Sequence, residues 1–304
     1  MGEIVGVLAA ILSSTIGGIA AATTRFAMSG TDAVTLGALR FGGGFVLLLM
    51  AALALRPTWP RGRDWIGVVL LGLLFFGLFP ILFNLALAMT SAARGALALS
   101  TVPVLTMVTA AALGAEPLNA RKTVGVLTAM AGVGLALATG LDAAPPGAWR
   151  GDLTMVAGGF CMALYNVWSR PLIARSGAVA FTTAAMGVGA LGLAAVAWAG
   201  GGLAAAADFG VPQWLAAGYL MIFGGALTFI LWAFALQRTT PTRVASTITV
   251  NPISASILGA LLLREPVGPN VAVGVVAVLA GIVIASTDRR LADGHRSGPQ
   301  ESKK

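Results

Sequence analysis

Apolar runs of about twenty residues follow one another along nearly the whole chain, parted only by short stretches holding glycine, proline or basic residues. A helix crossing the hydrocarbon core of a bilayer needs about 20 such residues, and no water-soluble fold hides so many. Ten runs are discernible, at residues 4–23, 34–55, 65–88, 95–114, 123–139, 153–168, 179–199, 213–236, 244–263 and 271–286. Only 10% of the residues are charged and 58% are hydrophobic, against about 25% charged in soluble domains. An all-α integral membrane protein of ten transmembrane helices is expected, with the lipid bilayer as its principal surroundings. Forty glycines suit such a bundle, because small residues let helix backbones approach closely in lipid.

The basic residues report topology. With the amino terminus on the cytoplasmic side, fourteen of the nineteen Lys and Arg fall on that side and four on the other, while Arg40 lies within the second run. Both termini are expected in the cytoplasm, with residues 288–304 a disordered polar tail. Met1-Gly2-Glu3 carries no basic segment ahead of the first run, which therefore reads as the first span and not as a cleaved leader. The net charge of +8 is scattered and never forms a patch beside stacking aromatics, so nucleic acid is not an expected partner. A single cysteine, Cys161, rules out disulfide frameworks and cysteine-based metal sites, and no cofactor is expected.

An internal repeat governs the rest. An offset of 149 residues superposes Arg94 on Arg243, Pro103 on Pro252, Glu116 on Glu265, Pro117 on Pro266, Gly125 on Gly274 and Gly132 on Gly281. The start of each half matches at an offset of 145, with Gly6 on Gly151 and Arg25 on Arg170. The glycine- and alanine-rich stretch from Gly200 to Pro212 is the expected site of the extra residues. Residues 4–140 and 150–287 thus read as two five-helix repeats. Five is odd, so the second repeat enters the membrane from the opposite side. Inverted repeats place a substrate site near the midplane, and rocking of one half against the other exposes it alternately.

Pro103 and Pro252 sit mid-run at equivalent places and read as helix breaks, either packing kinks or hinges. Beside the second break, Asn251 is costly to leave facing lipid and is expected to face the interior. Thr101 occupies the matching zone; Asn84, Asn166 and Thr228 are further candidates, each as interhelical glue or as substrate contact. Phe79 and Phe83, four apart in a stripe with Phe75, join Tyr165 and Trp232 as candidate cavity aromatics. Trp65, Trp149, Trp198 and Trp214 fall at run ends and read as interfacial. Glu116-Pro117 and Glu265-Pro266 read as helix-start chemistry. Arg40 reads as snorkelling or paired, with contact to a substrate carboxylate left open. The acids fall at run ends, in loops or in tails, and His295 is in the tail, so no proton relay crosses the core and a facilitative carrier is expected.

Gly151-Asp152-Leu153 through Ser169-Arg170, the Ala-Leu-rich end of the third run before Thr90, and the two Pro-to-Glu-Pro segments with their trailing glycines resemble the EamA-type domain of the drug/metabolite transporter superfamily. The resemblance covers residues 1–288 and implies ten helices, a basket-like central cavity and carrier activity. A departure is Ile16-Gly17, where a Trp-Gly pair is frequent in the family. Length and aromatics are similar to those of bacterial amino-acid exporters, implying an inner-membrane carrier of a small-molecule substrate, a monomer or homodimer. The superfamily's small multidrug branch binds cations on a membrane-embedded glutamate, which this chain lacks. A membrane-embedded enzyme would need clustered acids, histidines or metal ligands. A passive channel fits the broken repeat less well than alternating access.

Overall fold

The computed structural model describes residues 2–90, 92–137, 146–254 and 269–286, and all regular structure among them is helical. Helix α1 (Gly2–Ala27) and α2 (Ala33–Leu55) form a hairpin closed by the 3-10 turn Met28–Gly30. Asp32 starts α2 by accepting from the amides of Val34 and Thr35 at 2.8 and 3.0 Å. Partial burial pushes its carboxyl upward, but the bonds from the Thr35 hydroxyl and these amides outweigh that and hold it below the usual range. Asp32→Ala is expected to cost about 1 kcal/mol near neutral pH. Because the folded-state value is depressed, the cap's contribution is complete above the ordinary carboxylate range. It fades as pH falls through the folded value, so thermal melts of wild type and variant should converge in acid.

Helix α3 (Asp64–Met89) runs antiparallel to α2, with the Asn84 amide donating to the Ala33 carbonyl at 2.9 Å. Its middle, Gly72–Leu78, is wound as a π-helix. Helix α4 consists of Ala92–Leu99 and Val102–Ala112, parted at Ser100 and Thr101 just ahead of Pro103. Helix α5 spans Ala120–Leu137. Helix α6 is a 52-residue run, Ala148–Ala199, which straight would measure about 78 Å, against a hydrocarbon core of about 30 Å. It is not straight. Gly177, at φ 81° and ψ 160°, breaks it into arms at residues 148–176 and 178–199, in a backbone region open essentially to glycine alone.

The neighbours of the two arms give their directions. In the first arm Gly151 abuts Ala86 and Thr90, Gly158 abuts Phe79, and Arg175 pairs with Asp64 at 2.7 Å, an antiparallel course along α3. In the second arm Gly72 abuts Ala185 while Gly189 abuts Phe76, a parallel course. The chain therefore reverses at one residue. Sequence periodicity places a loop at 169–178; instead the helix continues through Pro171 to Ser176 before turning.

Helix α7 (Val211–Arg238) contains a second π segment, Leu220–Leu227, at the 149-residue offset from the first. Helix α8 (Pro241–Ser246) passes into the 3-10 turn Thr247–Val250 just ahead of Pro252. Its expected continuation lies in residues 255–268, outside the described residues, as do Glu265, Pro266 and the tail from 287. Helix α9 (Pro269–Ser286) packs antiparallel on α5 at backbone contact distance. There Gly125 meets Gly281 and Gly132 meets Gly274, so the partners exchange under the 149-residue offset. Among the described residues, α1, α2, α3, α4, α6 and α7 are long and apolar enough to cross a membrane. Trp198 at 78% and Trp149 at 58% relative exposure stand outside the bundle, as interfacial residues should.

Candidate functional site

Between α1, α2, α3, α7 and the turn before Pro252 lies a cavity open to the outside. It extends from Ser13 and Ser14, midway along α1, toward Thr24 near that helix's carboxyl end. Much of its lining is aromatic: Phe75, Phe79, Phe83, Phe41, Phe229 and Trp232. Phe75 stacks on Phe79 at 5.1 Å and meets Phe229 edge-on at 5.5 Å, so the rings brace one another. The polar part of the lining comes from Ser13, Ser14, Asn84, Thr228, Arg40 and Asn251.

The π segment of α7 holds several of these polar groups in place. Extra residues in a π turn free carbonyls from their usual partners. Here the Phe223 carbonyl takes the Thr228 hydroxyl at 2.7 Å, the Thr228 carbonyl takes the Ser13 hydroxyl at 2.7 Å, and the Gly224 carbonyl takes Arg40. Asn251 sits opposite Gly17, and its Oδ1 is buried with no hydrogen-bond partner. At Gly18 even a Cβ would overlap the Asn251 carbonyl and the Ser254 hydroxyl, so Gly17-Gly18 is what lets α1 reach the break.

Of the residues singled out from sequence, the cavity wall contains Asn251, Trp232, Asn84, Phe79, Phe83 and Thr228. Thr228 bonds its own helix and Asn84 also ties α3 to α2. Tyr165 and Asn166 stand behind the wall, both wholly buried. Tyr165 stacks on Phe75 at 4.1 Å, and Asn166 accepts from the Trp232 indole at 2.9 Å while reaching Thr106 at 3.3 Å, fixing the indole's orientation. The Thr101 hydroxyl turns back to the Ala98 carbonyl at 2.6 Å, satisfying backbone at the break. Pro103 and Pro252 are buried, each separated by one residue from a preceding non-α turn. Sequence reasoning missed Ser13, Ser14 and Phe41. Their one signal is a shared azimuth on α1 or α2, which carries no information until neighbouring helices are placed.

The ends of the bundle carry matching charge clusters. Arg94 pairs with Asp152, which also accepts from Thr90 at 2.7 Å. Arg243 pairs with Glu3, which lies 3.4 Å from the Thr239 hydroxyl. Arg94 and Arg243, like Thr90 and Thr239, are equivalent under the 149-residue offset, and each arginine binds an acid in the opposite half. Near Arg243, Glu116 pairs with Lys122 at 2.8 Å and accepts the Thr242 amide at 3.0 Å. Its helix-start role is thus real but served to α8 in the other half, not to the helix that follows it. The Arg243 side chain is 1% exposed and that of Arg94 is 30% exposed, so the Arg243 end is the tighter one.

Comparison with known proteins agrees with this architecture. The model of the EamA-like transporter family matches twice, at residues 4–138 and 149–287. An uncharacterized protein of Pseudomonas aeruginosa is 32% identical over 269 residues, covering 85% of each chain. The uncharacterized transporter YetK of Bacillus subtilis is 26% identical, covering 87% of this chain and 81% of its own. An uncharacterized transporter of Archaeoglobus fulgidus is 26% identical, covering 75% and 78%. In fold, the chain is similar to a protein of known crystal structure, with a TM-score of 0.75 at 22% identity, covering 94% of this chain and 98% of that one. This chain therefore belongs to the EamA-like transporter family, membrane transporters of the drug/metabolite superfamily.

Proposed function

We propose that the chain is a facilitative carrier with ten membrane crossings in two inverted five-helix repeats, exporting small amphipathic metabolites, foremost amino acids with aromatic side chains, across a bacterial inner membrane. Both termini then lie in the cytoplasm. The observation that carries this reading is the exchange of partners between α5 and α9, Gly125 with Gly281 and Gly132 with Gly274, in an antiparallel pair. Reciprocal contacts of this kind mark a two-fold axis. For antiparallel helices the axis runs across them, in the membrane plane, as an inverted repeat requires. The reversal at Gly177 supports counting the long helix α6 as two crossings, in keeping with the two separate apolar runs at 153–168 and 179–199.

The matched charge clusters supply a means of alternation. With the Arg243 end sealed and the cavity reaching toward the end of α1 far from Glu3, the conformation fits an outward-facing carrier. Rocking about the axis would loosen the Arg243 cluster and bury the Arg94 cluster. Aromatic rings and hydroxyls together suit a substrate with an apolar body and a polar head.

Counterflow in liposomes tests this. Preloaded unlabelled amino acid is expected to accelerate uptake of its labelled form, independently of a proton gradient, and Asn251→Ala to lower transport efficiency by roughly tenfold. Uptake without trans-stimulation, or single-channel currents, would overturn the carrier reading; collapse of accumulation with the proton gradient would overturn its facilitative character. Parallel arms with nucleosides, sugar phosphates and cationic dyes decide between amino acids and other cargo.

A further inference from the structure

Arg40 places a positive charge within helix α2, beside the Phe41 ring at 5.2 Å. The register of the repeat is set locally by Gly44 against Gly225 and Gly189 against Phe76, which fall at offsets of 145 and 149. The same register places Ala185 opposite Arg40, and Ala185 is wholly buried. One half thus packs this position with a methyl group while the other spends a guanidinium on it, within the membrane, at about 11 Å along α2. A charge so placed is expensive, is offset by backbone carbonyls or an ion pair, and marks a functional position. Among the described residues Arg40 makes no ion pair, and no acid lines the cavity.

The guanidinium is also held in place. Its Nε and Nη2 donate to the Gly224 carbonyl at 3.1 and 2.7 Å, using the carbonyl that the π turn frees. Arginine offers five N–H donors in a planar fork. Gripped along its Nε edge, it keeps the Nη1 and Nη2 end for another acceptor. That end suits the two oxygens of one carboxylate.

We propose that the cavity selects organic carboxylates with a flat apolar body, the carboxylate docking end-on to Arg40 and the body lying against Phe79, Phe83 and Trp232, and that it discriminates against cations. This deepens the carrier reading and rests on it. The ammonium of an amino acid then contributes little to recognition, since no counter-charge faces it.

The test uses three probes that share one body and differ in charge: 3-phenylpropanoate, 3-phenylpropanamide and 3-phenylpropylammonium, bound to the purified full chain in equilibrium dialysis. The carboxylate is expected to bind at least about tenfold more tightly than the amide, as a charge-assisted bond allows, with the cation weakest. Arg40→Gln should narrow the carboxylate-to-amide ratio to below about threefold, and Arg40→Lys should keep it above that. A wild type that binds no carboxylate, prefers amide or cation, or keeps its preference in Arg40→Gln overturns the proposal. Should Arg40→Gln fail to fold, the wild-type series decides alone. Counterflow with the same labelled probes separates the two readings. Binding in the expected order without trans-stimulation removes the carrier reading and leaves Arg40 as anchor, whereas trans-stimulated amide or cation with no carboxylate preference does the reverse.

Discussion

Gly281→Leu is expected to yield no folded protein, with the sharp size-exclusion peak of wild type replaced by aggregate. A Cβ at this position would stand 2.5 Å from both the Ala129 nitrogen and the Gly125 oxygen, and at Gly125 it would stand 2.5 Å from the Ala285 nitrogen. These are backbone atoms of two helices, which cannot yield as a side chain does. Even alanine should exceed the upper end, about 3 kcal/mol, of ordinary overpacking. Gly42, with nothing within 4 Å of its Cβ position, is the control. There alanine should be tolerated and should add roughly 0.5–1 kcal/mol of helix stability. Thermal unfolding in detergent measures all three, and a folded Gly281→Leu would refute the close approach of α5 and α9.

The second large effect is at the Glu116 and Lys122 pair, whose side chains are 5% and 8% exposed. Lys122→Met strands a buried carboxylate and is expected to cost about 3–5 kcal/mol. The double variant Glu116→Leu with Lys122→Met should recover much of that, because no charge is left unpaired. It still loses the Thr242 amide's acceptor at the start of α8. Recovery therefore stays incomplete by about 1 kcal/mol, the worth of one helix cap. Equal melting temperatures for wild type and Lys122→Met would mean that water reaches this carboxylate.

Features encoded in one residue's own chemistry were legible from sequence: the breaks before Pro103 and Pro252, and the inward placement of Asn251 and Trp232. Properties that depend on a neighbour were not. Hydropathy is blind to the π segments, because inserting a residue into a helix turn leaves its apolar character unchanged. Asn166 and Tyr165 have the right chemistry for a binding wall but stand one layer behind it, and that layer is decided by helix rotation. Glu116 shows the same limit: its affinity for a helix start was readable, while the identity of that helix depended on how the halves meet. The end of the sixth run misled in the other direction. The apolar run ends at 168, yet the helix continues through Pro171 for five more residues, to Ser176.

Gly177 has a bearing on biogenesis. A single residue reaches only about 3.5 Å, too little for the arms at 148–176 and 178–199 to enter lipid one after the other with a slack segment waiting at the surface. On the ten-crossing reading they are expected to insert together as one folded unit, with Arg170 and Arg175 near its tip. An insertion machine meeting this nascent chain has to accommodate both segments at once, and an added residue at the tip would tax assembly before it touched transport.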